Sequence, residues 1–416
     1  MTTESNPAAA RDSAAQTAGH QQKLITTDFV LAWLVNFVQY LAFYTLVTTV
    51  ALYAVRQFAA SDAASGFASS AFVVGATVAR LFSGYIVDRF GSRAIMLASL
   101  VVVVIACGLY IPAGSLPLLI GVRLLHGFAY AIASTAIMAI VQQVIPDHRR
   151  AEGTGYFALG TTFATAVGPA LGLFLVGNFT YDVLFWTTFI TAIIGLALGL
   201  LLKGPKEDID AASEQKPRFS LKSIAHPAVI PIGIFMLLIG LSYSGVITYL
   251  NAYSEERDLV TGAGLFFVAY AFSMLIMRLL LGKVQDVRGD NIVIYFGVIF
   301  FALALLFLAV ADADWMVVVA GAMTGLGYGT LMPAAQAIAV SSVPTHQLGT
   351  GISTLLLLAD VGIGLGPIFL GFLVSAAGYG SMYAVLAVVV VLATVWYAVV
   401  HGRKDVAKRG RTVLAE

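Results

Sequence analysis

The sequence predicts an all-α membrane protein with twelve transmembrane helices in two six-helix halves, the halves being parallel repeats related by a pseudo-twofold axis along the membrane normal. Three observations predict this. The chain has 416 residues, 59% of them hydrophobic and only 11% charged, with a mean hydropathy of +0.91. A soluble protein of this size could not enclose that much apolar surface in a core. It also contains twelve apolar segments, each near the ~20 residues that cross a hydrocarbon layer as a helix. Finally, it repeats itself at an offset of 198 positions: Arg80, Gly84, Asp88 and Gly91 in RLFSGYIVDRFG return as Arg278, Gly282, Asp286 and Gly289 in RLLLGKVQDVRG. The same offset carries Gly127 and Tyr130 onto Gly325 and Tyr328, Pro146 and His148 onto Pro344 and His346, and Gly168-Pro169 onto Gly366-Pro367.

The first half, 28–203, holds predicted helices α1 over 28–55, α2 over 63–87, α3 over 94–113, α4 over 116–145, α5 over 153–177 and α6 over 182–203. The second half, 228–401, holds α7 over 228–253, α8 over 261–285, α9 over 291–311, α10 over 314–341, α11 over 350–376 and α12 over 379–401. Between them, 204–227 is the one long charged interruption and reads as a cytoplasmic linker. Residues 1–27, rich in Ala, Ser, Thr and Gln at their start, read as a disordered cytoplasmic tail rather than a cleaved signal, and 402–416 as a second cytoplasmic tail. Orientation follows from the basic residues. One set of connections carries Arg89, Arg93, Arg149, Arg150, Lys203, Lys206, Lys216, Arg218, Lys222, Lys283 and Arg288, with Arg403, Lys404, Lys408, Arg409 and Arg411 in the tail, whereas the opposite set has only Arg56 and Arg257. The basic set and both termini are therefore expected on the cytoplasmic side of a cell (inner or plasma) membrane.

Several classes of chemistry are absent. The single cysteine, Cys107, excludes an internal disulfide and a cysteine metal cluster. A net charge of +1 argues against a nucleic-acid surface. The sequence has no HExxH, no phosphate-binding Gly-Lys loop, no Cys-x-x-Cys and no Asp-rich metal cluster. Neither an enzyme nor an ATP-driven pump is indicated, and no cofactor or metal is expected.

Residues 84–93, GYIVDRFGSR, closely resemble the signature loop between the second and third helices of the major facilitator superfamily, and 282–289 resemble its weaker second copy. The likeness extends over essentially the whole chain. It implies a latch that holds the two halves together on the cytoplasmic side when the site faces outward, with Gly84, Asp88, Arg89, Gly91 and Arg93 in the first copy and Gly282, Asp286, Arg288 and Gly289 in the second. Elementary electrostatics gives such a loop a purpose. Asp88 ends α2 where α11 begins, and a carboxylate near a helix N-terminus complements its positive end by about 0.3 to 1 kcal/mol. Arg89 and Arg93 can pair with that carboxylate, while the glycines allow close helix approach and a tight turn. The second copy departs from the first at Val287 and Arg288, which stand where the first has Arg89 and Phe90.

An ionised side chain inside a membrane is a functional candidate by default. Arg123, in GVRLLHGFAYA on α4, is similar to the family's helix-4 motif, with His126 where glutamine is usual. That resemblance implies a part in proton coupling or substrate binding, and His126 could titrate near neutral pH. Asp360 lies near the middle of α11 in LLLLADVGIGLG with no charged partner visible nearby in sequence. Burial would push its pKa towards neutrality, so Asp360 is the leading proton carrier, communicating with Arg123. Many family antiporters keep an acid in the middle of the first helix. This chain has Asn36, Gln39 and Tyr40 there, which moves proton coupling to Asp360.

On α5, Gly160, Gly168, Pro169 and Gly172 resemble the glycine-proline motif of efflux members. Pro169 removes a backbone hydrogen bond and the glycines offer a flat face to a neighbour. Candidate solute-lining residues are Asn36, Gln39, Tyr40 and Tyr44 on α1, Tyr130 on α4, Tyr243 and Asn251 on α7, and Tyr328 and Gln336 on α10. Asn36, Tyr40 and Tyr44 share a helix face by spacing. Few charges among tyrosines and amides suit a moderately apolar, drug-like, sugar-like or zwitterionic solute better than a polyanion. The resemblance thus points to the drug and small-solute:proton antiporter branch: an exporter drawing on the proton gradient, binding a small molecule and protons within the lipid bilayer, and complete as a monomer. A proton-coupled uptake carrier of the same fold is the alternative. Within the repeat, Arg123 corresponds to Gly321 and Asp360 to Thr162, so the unmatched positions are where solute and driving ion are expected to act.

Overall fold

The computed structural model describes residues 24–47, 49–204 and 224–411. The predicted bulk of the N-terminal tail and of the central linker lies outside these residues. Among the described residues the secondary structure is helical, and twelve helices are long and apolar enough to cross a membrane.

Their order matches the expected duplication. In the first half, α1 runs over Thr27–Val47 and continues as Val50–Phe58, followed by α2 Asp62–Phe90, α3 Ser92–Leu109, α4 Leu116–Val144, α5 Arg150–Asn178 and α6 Tyr181–Leu201. The second half has α7 Ile230–Glu256, α8 Val260–Arg288, α9 Asp290–Ala309 and α10 in two pieces, Asp314–Leu326 and Tyr328–Ser341. A single run, Leu348–Val400, carries α11 and α12, and the chain reverses within it at Gly378, whose φ of 78° favours glycine. A short helix, α13 Asp405–Arg409, follows.

Two expected helices are broken. In α1 the β-branched run from Val47 to Val50 resists helix, and the Thr49 hydroxyl donates back to the carbonyls of Thr45 (2.9 Å) and Leu46 (3.3 Å). In α10 the break falls at Gly327 (φ −83°, ψ −89°). A Cβ there would lie 2.6 Å from the Phe301 amide nitrogen and 2.7 Å from the Gly297 carbonyl oxygen, so the missing side chain lets the backbone of α9 approach.

Hydrocarbon supplies little drive for helices to associate, so contact depends on small residues that let backbones meet. Gly127 of α4 shows this: a Cβ would sit 1.9 Å from the Phe72 carbonyl oxygen of α2. Its repeat partner Gly325 faces the Tyr270 carbonyl oxygen of α8 at 2.3 Å, and 72 and 270 are themselves one repeat apart. The outer faces remain apolar, with Phe372, Phe272, Val268 and Phe369 among the most exposed side chains, as a lipid-facing belt requires.

The halves meet along two seams related by the repeat: α2 against α11, and α8 against α5. At one end of the bundle an apolar cluster crosses between halves, joining Phe29, Val87, Met96 and Ile140 to Val340, Leu348 and Ile352. This end holds the α2–α3 and α8–α9 turns, which pass through Gly91 (φ 88°) and Gly289 (φ 93°). It is called the latch side below.

Candidate functional site

The contact expected to act as a latch is built twice with the same geometry. Asp88, in the last turn of α2, accepts from the backbone N–H of Gly349 (2.7 Å), from that of Thr350 (2.8 Å) and from the Thr350 hydroxyl (2.5 Å). These are the first-turn donors of α11, which no helical carbonyl can satisfy. Asp286, in the last turn of α8 and 2% exposed, accepts from the N–H groups of Ala151 (3.0 Å) and Glu152 (2.8 Å). Gly349 and Thr350 are the repeat equivalents of Ala151 and Glu152. Helix α5 begins at Arg150 rather than at the expected 153, and this extra turn supplies the second copy's donors. Gly84 and Gly282 admit the facing helices: a Cβ would lie 2.6 Å from the Thr350 Cα and 2.7 Å from the Glu152 Cα, respectively.

Arg93 is used differently from expectation. The Asp88 carboxylate is directed to backbone donors, and Arg93 donates from Nε to the Leu202 carbonyl at the end of α6 (2.9 Å). Arg89 lies over the Phe90 ring at 5.8 Å. Arg288 lies exposed in the last turn of α8. A basic residue of the C-terminal tail reaches the second copy instead. Arg411, beyond α13, bonds Asp290 Oδ1 (2.9 Å), lies 3.8 Å from Asp286 and donates to the Ser341 hydroxyl (3.1 Å). His401 Nε2 and Gln285 Nε2 also contact Asp290, both at 2.8 Å. The expected tail 402–416 is thus helical and packed over 405–409.

Toward the bundle centre, each repeated arginine crosses its seam. Arg80 of α2 forms an ion pair with Asp360 of α11. Arg278 of α8 donates to the Ala158 carbonyl and the Thr162 hydroxyl of α5. The partner of Asp360 is therefore Arg80, 280 residues away in the chain, and not Arg123. The Arg80 carbonyl and the hydroxyls of Ser353, Ser83 and Thr135 continue this seam, with Ser353 Oγ 2.5 Å from the carbonyl and 3.0 Å from Ser83 Oγ, itself 3.2 Å from Thr135 Oγ1.

Arg123 and His126 are buried within the first half, with 0% and 1% exposure. Arg123 donates to the carbonyls of Ala68 (3.4 Å) and Ser69 (2.8 Å) and lies over the Phe72 ring at 5.0 Å. His126 meets the Tyr110 hydroxyl at 3.2 Å and the Cys107 sulfur at 3.9 Å. Neither shares a partner with Asp360.

The predicted lining residues fall into two aromatic groups. In the first half Tyr40 packs on Tyr44 and Tyr130, with ring centroids 6.2 and 5.4 Å apart. In the second half Tyr243 stacks on Tyr328 at 3.6 Å and donates to the Tyr270 hydroxyl at 3.3 Å. Tyr270 was not anticipated; its correspondence to Phe72 across the repeat was the available signal. Asn36 is buried against α5, its amide donating to Thr161 (3.3 Å). Gln39 is buried with both amide atoms unbonded, and Gln336 is buried on α10. Asn251 lies apart, exposed on α7 two turns beyond Tyr243.

The α5 glycines face α1. A Cβ at Gly160 would meet the Trp33 ring at 3.3 Å, one at Gly168 the Tyr44 Cβ at 2.5 Å, and one at Gly172 the Thr45 carbonyl at 2.6 Å. Pro169 is accommodated inside a helix that stays continuous. Gly366 makes the equivalent approach to Ser244 of α7.

A duplicated twelve-helix membrane bundle, closed at one end by paired carboxylate latches over a seam of crossed guanidinium groups, has the architecture of a multi-pass membrane transporter. The chain belongs to the Major Facilitator Superfamily, whose family model matches residues 32–262 and 259–414. Its fold is similar to that of the human organic anion transporter MFSD10 (TETRAN), with a TM-score of 0.73 at 16% identity over 89% of this chain and 98% of that one. The proton:xylose symporter XylE gives 0.72 at 15% identity over 94% and 98%. In sequence, Multidrug resistance protein MdtL of Escherichia coli O81 (strain ED1a) is 26% identical over 192 residues, 46% of this chain. That match spans about half the relative's length, 48%. Uncharacterized MFS-type transporter MJ1560 of Methanocaldococcus jannaschii is 21% identical over 87% of this chain and 94% of its own.

Proposed function

We propose that the protein is a proton-coupled exporter of small molecules that works by alternating access, with the latch side facing the cytoplasm of the cell in which both termini lie. The observation that carries this reading is the Arg80–Asp360 ion pair. It joins the two halves within the membrane, and the Asp360 side chain is 30% exposed, so a proton can reach it. Protonation removes the charge that holds Arg80 and weakens one seam, favouring the state in which the halves separate on the latch side. Deprotonation restores the pair and the closed latches. Asp360 faces Arg80 directly and Tyr328 at longer range.

The glycine faces between α5 and α1 support motion of one helix on another, and the name of the relative MdtL supports export over uptake. The aromatic groups suit a solute with an apolar body. Comparison of metabolites and toxicant sensitivity between a deletion strain and its complemented parent identifies that solute. The labelled solute is then followed in everted membrane vesicles with an imposed pH gradient. An acidic lumen should drive accumulation, and Asp360→Asn should abolish the dependence on the gradient. Accumulation only with the opposite gradient identifies an uptake carrier, and full gradient-driven transport by Asp360→Asn removes Asp360 from the mechanism.

A further inference from the structure

Arg80 and Arg278 occupy equivalent positions and cross equivalent seams, yet they meet different charges. Arg80 finds the carboxylate of Asp360; Arg278 finds, at the matching place, the neutral hydroxyl of Thr162 and a carbonyl. The phenols of Tyr270, Tyr44, Tyr328 and Tyr40 lie within electrostatic range of Arg278. Its Nε is buried without a hydrogen-bond partner among the described residues, as are Nη1 of Arg80 and Nη1 of Arg123. The residue itself is half-buried and borders a small cavity of about 20 Å³ with Ala151, Gly155, Met277 and Thr330 on its other walls. Arg123 also lacks a carboxylate, but it is sealed within one half by the Ala68 and Ser69 carbonyls and the Phe72 ring. Arg278 alone of the two stands at a seam between the halves, beside a small cavity.

We infer that Arg278 is the solute-recognition residue of the proposed transport site and binds the negatively charged group of a small organic monoanion. One unmatched cation calls for one negative charge. A carboxylate or sulfonate matches the planar donor fork of a guanidinium and supplies what Asp360 supplies to Arg80. The stacked Tyr243–Tyr328 pair, together with Tyr44, offers flat apolar surface to the body of such a solute. This deepens the zwitterionic or drug-like reading and rests on the transport site proposed above.

The repeat itself supplies the test, because Thr162→Asp would install the internal counter-charge already present in the other seam. The purified full chain in detergent is titrated with benzoate, phenylacetate and benzenesulfonate, and with benzamide and phenylacetamide as uncharged matches, by thermal unfolding and calorimetry. At least one anion should bind about tenfold or more tightly than its amide, since the charged partner is recognised. Thr162→Asp and Arg278→Gln should each weaken that anion about tenfold or more, whereas Thr162→Asn should largely keep it and Arg278→Lys, which keeps the charge but not the fork, should bind it more tightly than Arg278→Gln does. Arg278→Gln against Arg278→Lys decides the matter where Thr162→Asp does not fold. The assignment is overturned when no anion outcompetes its amide, or when Arg278→Gln binds as the unaltered chain does. Anion binding without flux in vesicles defeats only the transport reading; flux of neutral solutes without anion binding defeats only this one.

Discussion

Replacing Asp88 by asparagine keeps the shape of the first latch and removes its charge. The carboxylate accepts three hydrogen bonds from Gly349 and Thr350 at the start of α11. An amide retains one acceptor oxygen and turns an NH2 group toward N–H donors, so at least one charge-assisted bond is lost, each contributing about 1.5 to 3 kcal/mol. The favourable interaction with the helix N-terminus, about 0.3 to 1 kcal/mol, disappears as well. Allowing for water that replaces part of the loss, about 2 to 3 kcal/mol of preference for the latched state is removed. That corresponds to a shift of about 30- to 150-fold in the equilibrium between states. Spin labels at Phe90→Cys and Thr345→Cys, in a Cys107→Ala background, report the distance across this seam in nanodiscs. Asp88→Asn should move most of the population to longer distances. A distribution unchanged from that of the unsubstituted latch would refute the reasoning.

Further outcomes follow from other contacts. Gly84→Ala places a Cβ 2.6 Å from the Thr350 Cα, so it should open the same seam in the same assay without any change of charge. Arg411→Ala leaves Asp290, which is 0% exposed, with only His401 and Gln285 as side-chain partners among the described residues. Breaking a buried pair in this way costs about 3 to 5 kcal/mol at most, and a lowered midpoint of thermal unfolding in detergent should register it. Gly127→Val would drive a side chain into the Phe72 carbonyl, where even a Cβ would sit at 1.9 Å. This should reduce the yield of folded protein, measured by monodisperse elution, whereas valine at the open Gly264 should not.

The fold was largely legible because hydrophobic length and the 198-residue repeat are local or self-similar signals. The breaks in α1 and α10 were not. Nothing in the apolar text around Gly327 announces that the α9 backbone will lie against it, and the Thr49 hydroxyl competes for carbonyls only once a helix has formed. That Asp88 and Asp286 matter could be read because a duplicated Asp between glycines has no topological use. Their partners are backbone donors in the first turns of α11 and α5, which depend on where those helices start. Asp360 seemed isolated because its counter-charge lies on α2, and pairings across the interface leave no trace in sequence spacing. The repeat did mark Arg80 and Arg278 as equivalent, and aligning Asp360 with Thr162 already held the asymmetry that distinguishes the two seams. Arg123 stood out as an intramembrane charge, but only the structure reveals the carbonyls of Ala68 and Ser69 that receive it.

The central claim is that the charge on Asp360 sets the balance between the latched and open states. The direct measurement is the Phe90 to Thr345 label distance as a function of pH, with Asp360 present and with Asp360→Asn. With Asp360, acidification should shift the population from the latched to the open distance. Asp360→Asn should sit near the acid-side distribution throughout, with Arg80 already released. An Asp360→Asn variant that follows the same pH profile as the unaltered chain would contradict the account.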